Sequence, residues 1–335
     1  MKVIIPLAGL GTRLRPHTYT RPKPLINVAG KPMLAYILDK FRDLEVEEFI
    51  FVVGHLGDQI KQYVTEGYPN FKARYVEQKV MRGQADAILL CRDFVRGPVF
   101  MVFGDTFFGA DLREIVTQPQ DSIAYVQEVD DPRRFGVAVL GPDGYIHEFV
   151  EKPESLDNRL AVIGVYYFNN GPALMEACEE LMKLDIRTKG EYFLTDALNL
   201  MIPKGHHFVP RTVDTWHDSG KPETVLGTNQ YLLDHGRDNS MEVNYPTSVI
   251  KTPVNIDPSA SIEDSIIGPY ATIGKGCRIV RSIIKNSIID AEAQIWDSVM
   301  DESLIGQEAE VRGRYQKFSV GDSAVVGYRN GYSDD

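Results

Sequence analysis

A turn of small residues, Leu7-Ala8-Gly9-Leu10-Gly11-Thr12, runs into Arg13-Leu14-Arg15-Pro16 and on to Arg21-Pro22-Lys23-Pro24-Leu25. Glycines at a strand end let backbone N–H groups approach phosphate oxygens closely. Four cations, Arg13, Arg15, Arg21 and Lys23, fall within eleven residues. In an acidic chain such clustering points to a clamp for a polyphosphate. The turn is not the Gly-x-Gly-x-x-Gly dinucleotide fingerprint, because Leu14 holds the third glycine position, and no Gly-x-x-x-x-Gly-Lys-[Ser/Thr] phosphate loop occurs. On glycine and charge counts alone, a solvated basic loop is the alternative reading.

Three further residues carry types suited to phosphate chemistry. Asp105 closes the apolar run Pro98-Val99-Phe100-Met101-Val102-Phe103-Gly104, Lys152 precedes Pro153, and Asp218 lies in Trp216-His217-Asp218-Ser219-Gly220. Each has a plain alternative: a turn or cap aspartate, a strand-end surface lysine, a turn former. His206-His207 looks like a metal pair, yet adjacent strand residues point to opposite faces and no third ligand is evident, so a surface position is expected. Cys91, Cys178 and Cys277 show no Cys-x-x-Cys pairing and read as reduced thiols of a cytosolic protein.

The elements that must position these residues follow from hydrophobic patterning. Continuous apolar runs at 2–8, 48–54 and 98–105 fit strands buried on both faces of a mostly parallel sheet. Helical spacing at 32–44, 57–66 and 83–94 alternates with them, predicting an α/β doubly wound layer with its crevice at the carboxyl ends of the strands. Strand-like stretches between 122 and 168 make the sheet mixed, and helices are expected at 172–184, 193–202 and 222–235. The polar stretch 236–246 is the linker candidate.

From about residue 250 the period changes. Ile256, Ile262, Ile267, Ile273, Ile279, Ile284, Ile289, Ile295, Met300, Ile305 and Val311 follow one another at steps of five or six. An inward aliphatic at every sixth residue or so is the mark of a parallel β-helix of hexapeptide repeats. At three rungs per coil, these eleven rungs make between three and four coils. The domains are therefore 1–240, an α/β layer, and 250–335, a solenoid. The flat faces of the solenoid offer a surface for a homo-oligomer.

Taken together, Gly-x-Gly-Thr-Arg-Leu-Arg-Pro at 9–16 and Pro-Lys-Pro-Leu at 22–25 resemble the signature of the sugar-phosphate nucleotidyltransferases, the nucleotide-sugar pyrophosphorylases. The resemblance recurs in order through Gln78, Gly83-Gln84-Ala85-Asp86-Ala87, Phe103-Gly104-Asp105, Phe149-Val150-Glu151-Lys152-Pro153, Gly164-Val165-Tyr166 and Trp216–Gly220. It implies a Rossmann-like nucleotidyltransferase domain followed by a left-handed β-helix. It also implies nucleotide contacts at Leu7, Ala8, Gly9, Gly11, Thr12, Gln78 and Gly83, and sugar contacts at Gly136, Glu151, Gly164 and Val165. Arg13, Lys23 and Lys152 become the catalytic cations, and Asp105 and Asp218, 113 residues apart, the ligands of Mg²⁺. The implied substrates are a nucleoside triphosphate and a hexose 1-phosphate. Thymidylyl transfer to glucose 1-phosphate leads, with uridylyl transfer to glucose 1-phosphate or guanylyl transfer to mannose 1-phosphate as alternatives.

Composition narrows the classes left. A net charge of −11 disfavours a nucleic-acid partner. The short apolar start has no cleavage site of a signal peptide, and no apolar run suits a membrane span, so a cytoplasmic enzyme is expected. Hexapeptide solenoids of acyltransferases carry a catalytic histidine, whereas residues 250–335 contain none. A non-catalytic nucleotide-sugar sensor would be expected to lose the clamp arginine, a lysine or a metal aspartate, and all are present.

Overall fold

A computed structural model describes residues 1–117 and 119–313, so 314–335 of the expected solenoid lie outside the described residues. The first half alternates strand and helix: β1 (Lys2–Pro6), α1 (Met33–Asp39), β2 (Glu48–Val53), α2 (Gly57–Gly67), β3 (Ala73–Glu77), α3 (Gln84–Leu89) and β4 (Val99–Val102). A short strand β5 (Thr106–Phe108) precedes β6 (Ser122–Glu128), β7 (Gly136–Leu140), β8 (Ile146–Glu151) and β9 (Leu160–Phe168). Then come α4 (Gly171–Lys183), α5 (Leu194–Met201), β10 (Phe208–Thr212), β11 (Trp216–Asp218) and α6 (Pro222–Leu232).

Nine strands form one sheet in the order β8-β7-β9-β4-β1-β2-β3, with β6 on β9 and β10 on β6. Strands β4-β1-β2-β3 are parallel to one another, whereas β9 runs antiparallel to β4, β6 and β7. Alternation along the strands feeds two cores. Ile4, Ile50, Val52 and Met101 pack with Ile88 of α3, Leu174 of α4 and Leu198 of α5 on one face. Val3, Ile5, Phe49, Phe51 and Phe100 pack with Leu34, Leu38 and Val64 on the other. Helices on both faces are what a parallel sheet needs to bury its backbone and side chains. All three cysteines are buried, and desolvation pushes the Cys91 thiol up to about 12.

The second region is built from three four-stranded parallel sheets. On one of them Val254–Ile256, Ala271–Ile273, Ser287–Ile289 and Leu304–Ile305 stack in register. Eight of the rung isoleucines, Ile256 to Ile295, form a continuous buried column, with Met300, Ile305 and Val311 half-buried at its end. Small Ala260, Ala271, Cys277 and Ala293 fill the space beside them. One corner carries a serine ladder: the N–H of Ser265, Ser282 and Ser298 each donates to the serine hydroxyl of the coil before, at 3.0 to 3.2 Å.

The stretch expected as a linker is instead bound along the first coil. After α6 the chain makes a wide turn over Leu233–Arg237, where Gly236 takes a left-handed φ of 90°. Asp238 then accepts from the Val254 N–H at 3.0 Å and Asn239 from the Ile256 N–H at 2.9 Å. Short Asp and Asn side chains that cap neighbouring backbone turn a polar segment into a fixed seam. Helix α6 packs on the same side, where Asn229 accepts from the Thr272 hydroxyl at 2.7 Å and the Ala29 N–H at 2.9 Å.

Candidate active site

The loops after β1, β3 and β4 leave the carboxyl edge of the sheet together and enclose a cleft of roughly 480 Å³. Strand order reverses at β1, which lies between β2 and β4. That is where open α/β sheets place their ligands. Leu7, Ala8, Gly9, Gly11, Thr12, Arg13, Lys23, Gln78, Gly83, Asp105 and Lys152 all line it. A second lobe of roughly 220 Å³ shares Arg13, Asp105 and Lys152 and adds Gly136, Glu151, Gly164 and Asp218.

Convergence of the distant residues has simple causes. Strand β11 pairs antiparallel with β5, setting Asp218 opposite Thr106, and the Ser219 N–H donates to the Asp105 carbonyl at 3.0 Å. The two aspartates thereby become neighbours. Burial would push Asp105 up, but the ion pair with Lys23 and the nearby Arg13 hold its carboxyl below the usual range. Asp218 is pushed up, first by burial and then by the charge of Asp105. Two carboxylates that repel each other, set beside Lys23 and Arg13, form a hard-oxygen donor set of the kind that suits a divalent cation. Among the described residues no group of three or more His, Cys, Asp or Glu side chains could hold a metal.

At the other end of the cleft, Gln78 is buried and donates to Asp86 Oδ2 at 2.8 Å and to the Gly83 carbonyl at 3.2 Å. Gly83 has φ of 127°, and a Cβ there would lie 2.4 Å from the Tyr192 carbonyl oxygen, so only glycine fits this turn. In the second lobe, Gly164 has φ of 77°, and a Cβ there would come within 2.5 Å of the Phe103 ring. Glu151 accepts from the Thr195 hydroxyl at 3.0 Å and lies 3.7 Å from Lys152 Nζ. Its carboxyl is pushed up by burial, with Lys152 opposing. Lys152 takes a left-handed φ of 46°, rare for a side chain of this kind, and its Nζ sits 4.3 Å over the Phe193 ring.

Two expectations need correction. The side chain of Val165 does not reach the cleft: it is fully buried in the opposite core, because alternation along β9 sends it away from the Gly164 side. Arg15 and Arg21 are not part of the cationic pocket. Arg15 lies 4.9 Å over the Tyr19 ring, and Arg21 pairs with Asp290 of the solenoid. Of the histidine pair expected at the surface, His207 is exposed and His206 half-buried.

Other cleft residues escaped the sequence reading: Phe193 and Thr195 at the start of α5, and Arg134, Phe135 and Trp216 in the second lobe. The available signal was a helix start rich in polar and aromatic residues, Glu191-Tyr192-Phe193-Leu194-Thr195-Asp196, next to no obvious cap.

Residues 2–235 match the family described as nucleotidyl transferase, and residues 241–327 match the GlmU-like C-terminal hexapeptide family. The low-salt glycan biosynthesis nucleotidyltransferase Agl11 of Haloferax volcanii is 30% identical over 98% of this chain and 98% of its own. A glucose-1-phosphate thymidylyltransferase of Streptomyces antibioticus is 29% identical over 97% of this chain and 99% of its own. The UTP–glucose-1-phosphate uridylyltransferase AglF of Haloferax volcanii is 34% identical, over 70% of this chain and 97% of its own. Among the described residues no helix is long and apolar enough to cross a membrane.

Proposed function

The chain belongs to the nucleotidyl transferase family and is an enzyme acting on a sugar 1-phosphate, and from this we propose that it makes dTDP-glucose from dTTP and glucose 1-phosphate. The observation that carries the reading is the meeting of Arg13, Lys23, Lys152, Asp105 and Asp218 around one cleft beneath the glycine turn. The choice of thymidylyl transfer is supported by the relative of that name sharing both regions of the chain, whereas the uridylyltransferase relative spans 70% of it. UTP is the second reading, favoured by that relative's 34% identity over 70% of this chain.

In this reaction an oxygen of the sugar phosphate forms a bond to the α-phosphorus. The bond from that phosphorus to the bridging oxygen breaks, its electron pair leaving with pyrophosphate. No protein nucleophile is required, so alignment and charge neutralisation do most of the work. Backbone N–H groups of residues 9–12 receive the triphosphate, and Arg13 faces its departing β- and γ-phosphates. Lys23 reaches the α-phosphate. Lys152, confined over Phe193, holds the attacking phosphate, and Glu151 accepts hydrogen bonds from sugar hydroxyls. The base lies towards Gln78 and Gly83, the end of the cleft away from the cations. Asp105 and Asp218 are the residues that would hold Mg²⁺, which when bound supplies charge neutralisation at the phosphates. The same reading joins copies through the solenoid, where Val249, Ile283 and Val299 stand exposed on one sheet.

Pyrophosphate release measured across nucleoside triphosphates and hexose 1-phosphates tests the proposal. The fastest turnover is expected with dTTP and glucose 1-phosphate. UTP preferred by more than about tenfold selects the second reading, since one methyl contact is worth only about 1–3 kcal/mol. No turnover with any pair overturns both.

A further inference from the structure

The arginine-rich turn sends one of its cations out of the cleft. Arg21 pairs with Asp290 of the solenoid, and its other terminal nitrogen donates to the Gln307 side chain. The second carboxylate oxygen of Asp290 accepts from Asn27 Nδ2 at 2.7 Å and from the Ala291 N–H at 2.8 Å. Both partners of the ion pair are largely buried, with 22% of the Arg21 and 13% of the Asp290 side chain exposed. Between Arg21 and Asn27 lies the tight turn Lys23–Leu25, with Lys23 at its start. One carboxylate of the solenoid thus holds the segment that carries Lys23 from both of its ends.

This contact differs from the other ion pairs of the solenoid. Arg281–Asp297 and Lys285–Asp301 each join one coil to the next, and Arg312–Glu310 stays within one strand. Such exposed pairs contribute little. Asp290 instead spends both oxygens on the α/β layer, in a part-buried setting where charge-assisted hydrogen bonds are strong and directional. On the far side of the segment, Lys23 is paired to Asp105. Held by Asp290 behind and Asp105 in front, the turn has little freedom to place its ammonium anywhere else.

We propose that Asp290 is a positioning residue for nucleotidyl transfer: through Arg21 and Asn27 it fixes the backbone that presents Lys23 to the triphosphate. The hexapeptide region is then a working part of the catalytic layer, in addition to any role in assembly. The proposal rests on the reading of Lys23 as a phosphate ligand. A contact that only joined the two regions would lower thermal stability without favouring one substrate over the other.

Asp290→Asn separates these cases. It keeps an oxygen for Asn27 and Ala291 while withdrawing the charge from Arg21. In the full chain, KM for dTTP is expected to rise about tenfold, the loss of one charge-assisted contact, with KM for glucose 1-phosphate nearly unchanged. Amides of residues 17–27 are expected to exchange hydrogen faster in the ligand-free protein. Asp290→Glu should recover much of the loss, Arg21→Gln should show the same split from the other side, and Glu310→Gln should change neither quantity. Equal KM values in wild type and Asp290→Asn, or a rise shared by both substrates, overturn the proposal. If the wild type turns over no substrate pair, the functional reading fails. The exchange measurement needs no substrate: unchanged exchange at 17–27 in Asp290→Asn overturns the positioning even then.

Discussion

The α/β layer and the solenoid solve opposite problems. In the solenoid each coil repeats the one before, so a buried isoleucine such as Ile284 meets its equivalents at Ile267 and Met300 in register. The solenoid's inward aliphatic side chains pack on one another. The α/β layer carries two repelling carboxylates at its cleft, Asp105 and Asp218, whereas left-handed backbone and crowded glycines occur in both regions, at Lys152, Gly83 and Gly164 in the layer and at Tyr270, Arg281 and Gly268 in the solenoid. Repelling charge gathers at the cleft, and regular burial gathers in the isoleucine column. Stability should therefore respond most to mutation in the isoleucine column, and activity to mutation around the cleft.

The sharpest break in that contrast comes from Asp105→Ala. Turnover is expected to fall by about 10²–10³ or more, as when a group facing developing charge is removed. Circular dichroism should remain that of the wild type, because this carboxylate is one-third exposed and supports no core. Turnover within about tenfold of wild type would move the metal site elsewhere. In the solenoid the pattern should invert. Ile284→Ala, at a fully buried rung, is expected to cost about 2–5 kcal/mol, read as a lower denaturant midpoint, with kcat within about twofold. A large loss of kcat at wild-type stability would show that the column of isoleucines is tuned for catalysis after all.

The two regions also differed in how much of them could be read before folding. A period of five or six is a local property, so the rungs from Ile256 to Val311 were legible residue by residue. Strands β1, β2 and β4 were legible for a related reason: burial on both faces leaves an unbroken apolar run. The site was not local. Nothing near Asp218 announces Asp105, which it meets only because β11 pairs with β5, and resemblance alone joined them. Counting charges in the first loop gave Arg13 and Arg21 equal standing, yet one faces the cleft and the other the solenoid. Direction is a tertiary property that charge counts do not carry. Val165 was a different kind of miss, since the two-residue period of a strand already separates it from Gly164.

Glu151 offers the smallest but most discriminating effect. Its side chain is 8% exposed and Lys152 stands 3.7 Å away, so burial and pairing compete, and burial wins, raising its carboxyl above the usual range. A carboxyl with a raised folded-state pKa binds its proton more tightly folded than unfolded. Between the unfolded and folded values, folding therefore takes up a proton, and stability falls as pH rises through that window. Below the window the neutral acid costs nothing extra, and above it the whole penalty is present. Glu151→Gln should thus match the wild type in thermal midpoint at pH about 4 and exceed it at neutral pH. Its KM for glucose 1-phosphate should rise about tenfold or more, the loss of a charged hydrogen-bond acceptor. A variant that gains stability by losing substrate is what a site selected for ligand rather than for packing must show. If Glu151→Gln instead loses stability increasingly as pH rises, the pair with Lys152 outweighs burial. The second lobe would then be held together by the same kind of compensated contact as the solenoid corners.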